Sequence, residues 1–286
     1  MKVISIFICL LCILILSCTN QNLPKYNTLD QLRVLALVAQ PPEVNPGDTV
    51  TITPIVSDLT ETNALSYSSY SCLDNGISFG AVPTCNGNPS KITLSTGTIS
   101  TLSLAKAFTG TADTITLTVP DQSTILGLRS IAQQYNGIAY IFEYVLQNSR
   151  GEEVRAIKRI AVSYPNKVTK NTNPTISDFL LNGISATSSL PLSTTLSTSL
   201  SFSGSPTENY SRMNSEGQLS TESEDLITTW FITDGKMKFQ RTFGLEPNEY
   251  ETPSQSPSSK PVYLIEVSRD GRGGTGYIIK CFGTCI

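Results

Sequence analysis

The chain contains no histidine. That absence removes the commonest zinc ligand, the usual general base of serine and cysteine nucleophiles, and the side chain that titrates near neutrality. Charge is scarce too. Asp, Glu, Lys and Arg make up 15% of the 286 residues, against about 25% in ordinary soluble domains, so Ser, Thr, Asn and Gln must furnish much of the surface. The net charge is −3 and no basic stripe stands out, so the counterion-release footprint of a nucleic-acid binder is missing. Tryptophan occurs once, at Trp230. Helical periodicity is nearly absent, with one brief candidate at Ser123–Gln134.

What is present begins at the N-terminus. Lys2 precedes an apolar run from Val3 to Leu16, then Ser17-Cys18-Thr19-Asn20. About 14 apolar residues are too few for the ~20 that a membrane-spanning helix needs. A short apolar run after one positive charge, then a small residue and cysteine, has the order of a bacterial lipoprotein signal peptide. An ordinary secretory site wants small residues at two positions, and Ile15 is bulky. The expectation is a cleaved signal at 1–17, lipid on Cys18 and a polar tether at 18–30. Each buried CH₂ of an acyl chain such as palmitate contributes about 0.8 kcal/mol, and two or more chains anchor stably.

Seven cysteines then divide by position. Cys9 and Cys12 leave with the signal, and Cys18 takes lipid. Cys72, Cys85, Cys281 and Cys285 remain, an even number in an oxidising compartment, which reads as two disulfides. Three pairings are open, and the local ones, Cys72 to Cys85 and Cys281 to Cys285, are expected. Closing the first loop contributes about 3 kcal/mol. The second needs a sharp bend, which Gly283 could supply, because a disulfide needs Cα atoms within about 7 Å. A zinc site on these thiols fits the spacings poorly.

Downstream the pattern is strand-like. Leu32, Val34, Ala36 and Val38 alternate until Pro41-Pro42, and Val50, Ile52, Pro54 and Val56 resume after an Asn45-Pro46-Gly47-Asp48 turn. Thr98–Leu104 and Thr114–Val119 follow, then Ile138–Gln147 and Glu153–Ser163 as a long hairpin. Residues 166–174, polar and proline-bounded, read as a linker between domains at 31–165 and 175–286. In the second half Leu190–Phe202 alternates. Ile227–Thr233 and Lys236–Phe243 are expected to form a hairpin about Asp234-Gly235, and Val262–Ser268 with Tyr277–Phe282 make a last one. Val145, Asn148, Arg150 and Gly151 match Val267, Asp270, Arg272 and Gly273, which suggests two copies of one architecture. Short strands and frequent turns predict an all-β chain of two immunoglobulin-like β-sandwiches.

Leu32-Arg33-Val34-Leu35-Ala36-Leu37, Pro41-Pro42-Glu43-Val44, Pro46-Gly47-Asp48, Trp230-Phe231 and Val267-Ser268-Arg269-Asp270-Gly271-Arg272-Gly273-Gly274 together resemble bacterial outer-membrane lipoproteins with tandem immunoglobulin-like domains. The resemblance implies that fold and an envelope location, and it carries no assigned activity. The cysteine spacing departs from the inter-sheet disulfide of antibody domains.

Three motifs mimic chemistry. Gly76-Ile77-Ser78-Phe79-Gly80 has the nucleophile-elbow spacing but no histidine to serve it. Ser103-Leu104-Ala105-Lys106 has the Ser-x-x-Lys spacing, but in a strand the two side chains would point to opposite faces. Gly271-Arg272-Gly273-Gly274-Thr275-Gly276 has the dinucleotide spacing, yet Tyr277–Lys280 continues as strand rather than helix. Glu222, Glu224 and Asp225 read as a solvated loop, and Trp230 as core packing. No catalytic residue, cofactor or metal is therefore assigned. Arg150 and Arg272, at matching turns, are the candidates for touching a partner. The expected role is a lipid-anchored binding, adhesion or structural module at the bacterial envelope, facing a protein or glycan. The alternatives are a periplasmic assembly or scaffolding component, and a glycan-active enzyme using Glu143 and Glu266.

Overall fold

The computed structural model describes residues 29, 31–58, 64–76, 84–99, 114–185, 197–204, 207–251 and 262–282. The expectations for residues 1–28, Ser78, Ser103, Lys106 and Cys285 lie outside them.

The first half holds strands β1 (Arg33–Gln40), β2 (Glu43–Val44), β3 (Thr49–Ser57), β4 (Leu65–Leu73), β5 (Ile92–Ile99) and β6 (Ile115–Thr118). Two short helices, α1 (Gln122–Ile125) and α2 (Ile131–Asn136), precede β7 (Ile138–Gln147) and β8 (Glu153–Val162). One sheet runs β1-β3-β6 and the other β2-β8-β7-β4-β5, with β2 parallel to β8. In immunoglobulin terms these are strands A-B-E facing A′-G-F-C-C′. The single helix expected at Ser123–Gln134 is two, because Asp121 caps α1 and Ser130 caps α2 with a capping box to Gln133.

The second half repeats the plan. Its strands are β9 (Ile176–Leu181), β10 (Ile184–Ser185), β11 (Ser197–Gly204), β12 (Asn209–Met213), β13 (Leu219–Ser223), β14 (Ile227–Ile232), β15 (Lys236–Met237), β16 (Arg241–Phe243), β17 (Asn248–Glu251), β18 (Val262–Arg269) and β19 (Thr275–Phe282). The sheet β10-β9-β11-β17-β15 faces β16-β14-β18-β19, and β12-β13 stands apart as a hairpin. The fold is thus all-β, with two immunoglobulin-like sandwiches, and among the described residues no strand of one pairs with a strand of the other.

Each sandwich has its own core. Tyr140, Phe142, Tyr144 and Leu146 line the inner face of β7 against Ile52, Leu65 and Leu117, as the period of two requires. In the second sandwich Trp230 is fully buried on β14, the strand that carries the tryptophan of immunoglobulin domains. Phe179 and Phe202 meet its ring edge-on at 6.1 and 6.2 Å, and its Nε1 donates to Thr242 Oγ1 at 2.9 Å. An indole buried that way has both its apolar face and its N–H satisfied.

Two sequence expectations change here. The alternation of Leu32, Val34, Ala36 and Val38 breaks at a bulge between Val34 and Ala36. Leu32, Leu37 and Ala39 enter the first core, while Leu35 and Ala36 pack with Phe231, Tyr263, Ile265 and Val267 of the second half. One extra residue re-phases a strand, so β1 buries both faces, one in each domain. The second change concerns Asp234-Gly235. β14 pairs not with β15 but with β16, and β15 crosses to β17 of the opposite sheet. Gly235 sits at φ +84°, and a Cβ there would lie 2.5 Å from the Tyr250 ring. The dipeptide turns the chain between sheets, pressed against an aromatic, rather than closing a two-strand hairpin.

Candidate functional site at the domain seam

The polar chemistry of the molecule gathers where the two sandwiches meet. Residues 163–175, which join them, are held by their own side chains. Glu43, on β2 and buried, accepts from Lys167 Nζ at 2.7 Å on one oxygen and from the Asn171 amide at 2.7 Å on the other. Arg272 of the β18–β19 turn stands 3.7 Å from the second oxygen. Asn171 Nδ2 donates to Asp270 Oδ2 at 2.8 Å. Asn173 donates to the Ala39 carbonyl and accepts from the Thr275 amide, each at 2.8 Å. Two further clasps lie alongside: α2 trades two bonds with β12 through Asn136 and the Met213 backbone, and Arg269 Nη2 donates to the Leu35 carbonyl at 2.8 Å. Buried charges cost free energy unless paired and hydrogen-bonded, and these are.

The glycines of the 271–276 run belong to this seam. Gly271 and Gly273 carry φ of +74° and +110° in the turn, where a side chain would be strained. Gly274 and Gly276 are needed for closeness: a Cβ would fall 2.0 Å from Asp270 Oδ2 in one case and 2.1 Å from the Pro174 carbonyl in the other. The run lets the connector lie flat on the turn.

Arg272 and Arg150, matched in sequence, are placed differently. In both turns the first side chain caps the loop. Asn148 Oδ1 accepts from the amides of Arg150 and Glu152, and Asp270 Oδ1 from those of Arg272 and Gly274. A third turn, Asn214 to Gln218, repeats that pair of bonds through Asn214 Oδ1. Arg150 reaches Asp58 at 3.0 Å and Glu152 at 3.1 Å, with its side chain 39% exposed. Hydrogen bonds to Glu152 and Asp58 raise the pKa of its guanidinium, with burial opposing them. Arg272 is 13% exposed, bonds Glu224 at 2.7 Å and lies 4.1 Å over the Tyr210 ring. Burial pushes the Glu224 carboxyl up even so. Arg272 is spent on holding the seam, and Glu224 is a buried partner rather than part of a solvated loop.

The other sequence candidates fall as follows. Cys72 and Cys85 form a disulfide with Cα atoms 5.6 Å apart. Cys281 is disulfide-bonded as well, and Cys285 lies outside the described residues, as does Cys18. Glu143, buried on β7, accepts from Thr84 Oγ1 and the Cys85 amide at 2.9 Å each and from Arg155 at 3.3 Å, and so fastens the disulfide loop. Glu266 on β18 is fully buried, with a weak bond from Ser268 at 3.4 Å on one oxygen and none on the other among the described residues. Burial pushes its carboxyl up to about 8, so it is largely protonated at neutral pH. The two glutamates occupy different sandwiches, and neither is among the described lining residues of the two clefts along the seam.

Two clefts open along the seam, and sequence reading did not find them. One, of 960 Å³, is walled by Arg33 and Leu35 of β1, Arg155 of β8, and Arg241 and Arg269 of the second sandwich. The other, of 610 Å³, shares Arg269 and adds Lys158 and Arg159. No acidic residue is among the described lining residues of either. Lys158 is buried with Nζ on Thr275 Oγ1 at 2.8 Å, and burial draws its pKa down to about 8, with Asp270 opposing and Arg269 assisting. The Arg269 guanidinium is likewise destabilised, by burial first and by Arg241 second. In a chain of net charge −3, these clefts gather cationic side chains, of which Arg155 is paired with Glu143 and Glu153 and Arg159 with Asp74.

No family model matches the chain, and no curated protein does. Among solved structures, the D0-D1 domain of intimin is 10% identical over 88% of this chain and 99% of its own, with a TM-score of 0.22. The two tandem V-type regions of VCBP3, a v-region-containing chitin-binding protein, are 10% identical over 89% and 99%, with a TM-score of 0.27. At such scores neither superposition bears on function, and the strand order given above is what defines the fold.

Proposed function

We propose that this chain is a non-enzymatic binding module, held by lipid on Cys18 at the bacterial envelope with its two sandwiches presented as one unit. The observation that carries the reading is the seam itself. The Glu43–Arg272 contact across the seam, flanked by the Glu43–Lys167 and Arg272–Glu224 pairs, and a shared apolar layer hold the domains together while arginine-lined clefts stay open between them. A rigid pair of sandwiches with a preformed concave surface suits recognition, because little ordering entropy is then lost on binding. The candidate acid–base groups offer little to catalysis by comparison. Glu143 is committed to the disulfide loop and Glu266 is sealed in a core, whereas a glycosidase needs two carboxyls flanking one substrate bond.

The anchor and the partner are tested together. Growth with a radiolabelled fatty acid should label the parent chain and leave Cys18→Ala unlabelled; label retained by that variant defeats the anchor. Crosslinking in intact cells, followed by mass spectrometry, should recover a saturable partner from the envelope fraction. Protease treatment of intact cells then separates surface exposure from a periplasmic scaffolding role, in which the chain stays protected until the outer membrane is broken.

A further inference from the structure

The larger seam cleft is walled on one side by the face of β14, β16 and β18, and the register places Phe243 on that same face, beside the lining residues rather than among them. Phe243, Ile227 and Arg269 stand abreast on β16, β14 and β18, and Arg241, Thr229 and Val267 stand abreast one step along. Side chains directly opposite on neighbouring strands share a face with Cβ atoms about 5 Å apart. Phe243 and Arg241 therefore project on the side that meets the first sandwich. The intervening Thr242 points the other way, into the Trp230 core. Phe243 is 64% exposed and Arg241 is exposed, because β16 is the edge strand and reaches past the packed part of the seam. Arg33 and Arg155 close the cleft from the opposite wall, and Gln240 adds an amide.

Each element limits the ligand. Several arginines with no lining carboxylate call for an anion, and a planar guanidinium matches carboxylate or sulfate oxygens two at a time. An exposed phenyl ring beside them offers a flat apolar surface, which a simple inorganic ion cannot use and a sugar ring can, through its C–H face. Thr229 and Gln240 can bond hydroxyls. A cleft of 960 Å³ has the size of ordinary ligand sites, and its concavity keeps a flat membrane surface from reaching the inner arginines.

We infer that this cleft binds an acidic oligosaccharide, with Arg241, Arg269, Arg33 and Arg155 taking its carboxylate or sulfate groups and Phe243 stacking against a sugar ring. The inference rests on the binding-module reading above and names the class of ligand for it. Arg155 also serves Glu143 and Glu153, and Arg33 is engaged within the protein as well, so Arg241 and Arg269 carry most of the recognition. Arg269 is tied to Leu35 and pre-set by the fold; Arg241 and Phe243 are exposed and can be changed without disturbing packing.

The test is isothermal titration of the full chain in detergent with a sulfated heparin-derived hexasaccharide, a galacturonate hexamer and neutral maltohexaose. At least one acidic hexasaccharide should bind, and maltohexaose should not. Which acidic one binds distinguishes sulfate from carboxylate recognition. Arg241→Ala and Phe243→Ala should each weaken binding about tenfold or more, the usual cost of truncating an arginine or aromatic anchor, with unchanged melting temperatures. Raising the salt should weaken it further. The inference is overturned if neither acidic hexasaccharide binds, if maltohexaose binds equally well, or if both variants bind like the parent. It is also overturned if inorganic sulfate displaces the hexasaccharide at equal concentration. Failure here with a partner still captured in cells would leave the binding-module reading standing; failure of both would remove it.

Discussion

The β7–β8 and β18–β19 hairpins use the same turn chemistry and do different work. Asn148 and Asp270 cap their loops with the same two bonds, and an arginine follows two residues later in each. In the first sandwich that arginine sits half-exposed and braces its own domain through Asp58. In the second it is buried against Glu224, Glu43 and Tyr210. The same holds one strand back: among the described residues Glu143 has three partners, whereas Glu266 has one weak one. Repetition of a scaffold thus supplies similar residues, and their roles follow from what packs over them. The first hairpin's turn caps one domain, and the second's is wedged between two.

Five changes would break or sharpen that contrast. The largest effect belongs to Arg272→Ala, which strips the buried Glu224 of its charge partner, leaving it the Glu208 amide, and weakens the cluster at Glu43. A loss of about 3–5 kcal/mol is expected for a broken buried pair, together with a calorimetric trace that splits from one transition into two as the domains uncouple. Retention of a single sharp transition would mean that the apolar layer alone couples them.

Glu266→Gln comes next and has the opposite sign. The folded pKa of about 8 lies above that of the unfolded chain, so the folded state holds the proton more tightly. The stability this group contributes is full below about pH 4.5 and is lost as pH rises towards 8, by about 1.4 kcal/mol per pH unit. The glutamine variant should remove that slope and gain on the order of 3 kcal/mol relative to the parent at pH 7. Parallel pH profiles for variant and parent, read by denaturant midpoints, would show that Glu266 does not titrate in this window. Glu143→Gln should instead destabilise, since it loosens the contacts to Thr84, Cys85 and Arg155.

Replacing Cys72 and Cys85 together by serine should cost about 2–3 kcal/mol through loop entropy. With the seam intact the domains unfold together, so chemical denaturation read by Trp230 fluorescence in the second sandwich should show the same lowered midpoint. A Trp230 transition left at the parent's midpoint would mean that the two sandwiches unfold separately. The smallest change is Arg150→Ala. Its own side chain is solvent-screened, but it pairs with the buried Asp58, which keeps the Asn148 amide as a donor, so the melting temperature should fall by a few degrees, short of the Arg272 effect.

Much of the fold was legible in the chain. Period-two alternation placed both strands of each long hairpin, and the Gly, Pro and Asn clusters marked the turns. The burial of Trp230 followed from its strand context. The Cys72–Cys85 pairing followed from proximity in the sequence. Other features were not legible, for a common reason. Leu35 and Ala36 look like part of one alternating face until a bulge turns them towards a second domain. Asp234-Gly235 looks like a hairpin until Tyr250 is known to lie against it. Glu43, Lys167 and Asn171 look like surface and linker residues; their pairing spans more than a hundred positions. Glu224 reads as loop acid because its partner is 48 residues away.

By itself, then, the sequence determined the local terms: strand period, turn positions, the nearby disulfide and the absence of histidine chemistry. Those depend on neighbours a few residues apart. Only the tertiary structure decided which matched residues differ in role, which carboxylates are buried with or without partners, and that arginines from three distant stretches line one cleft. Desolvation and pairing depend on what packs across the seam, and no local spacing encodes that.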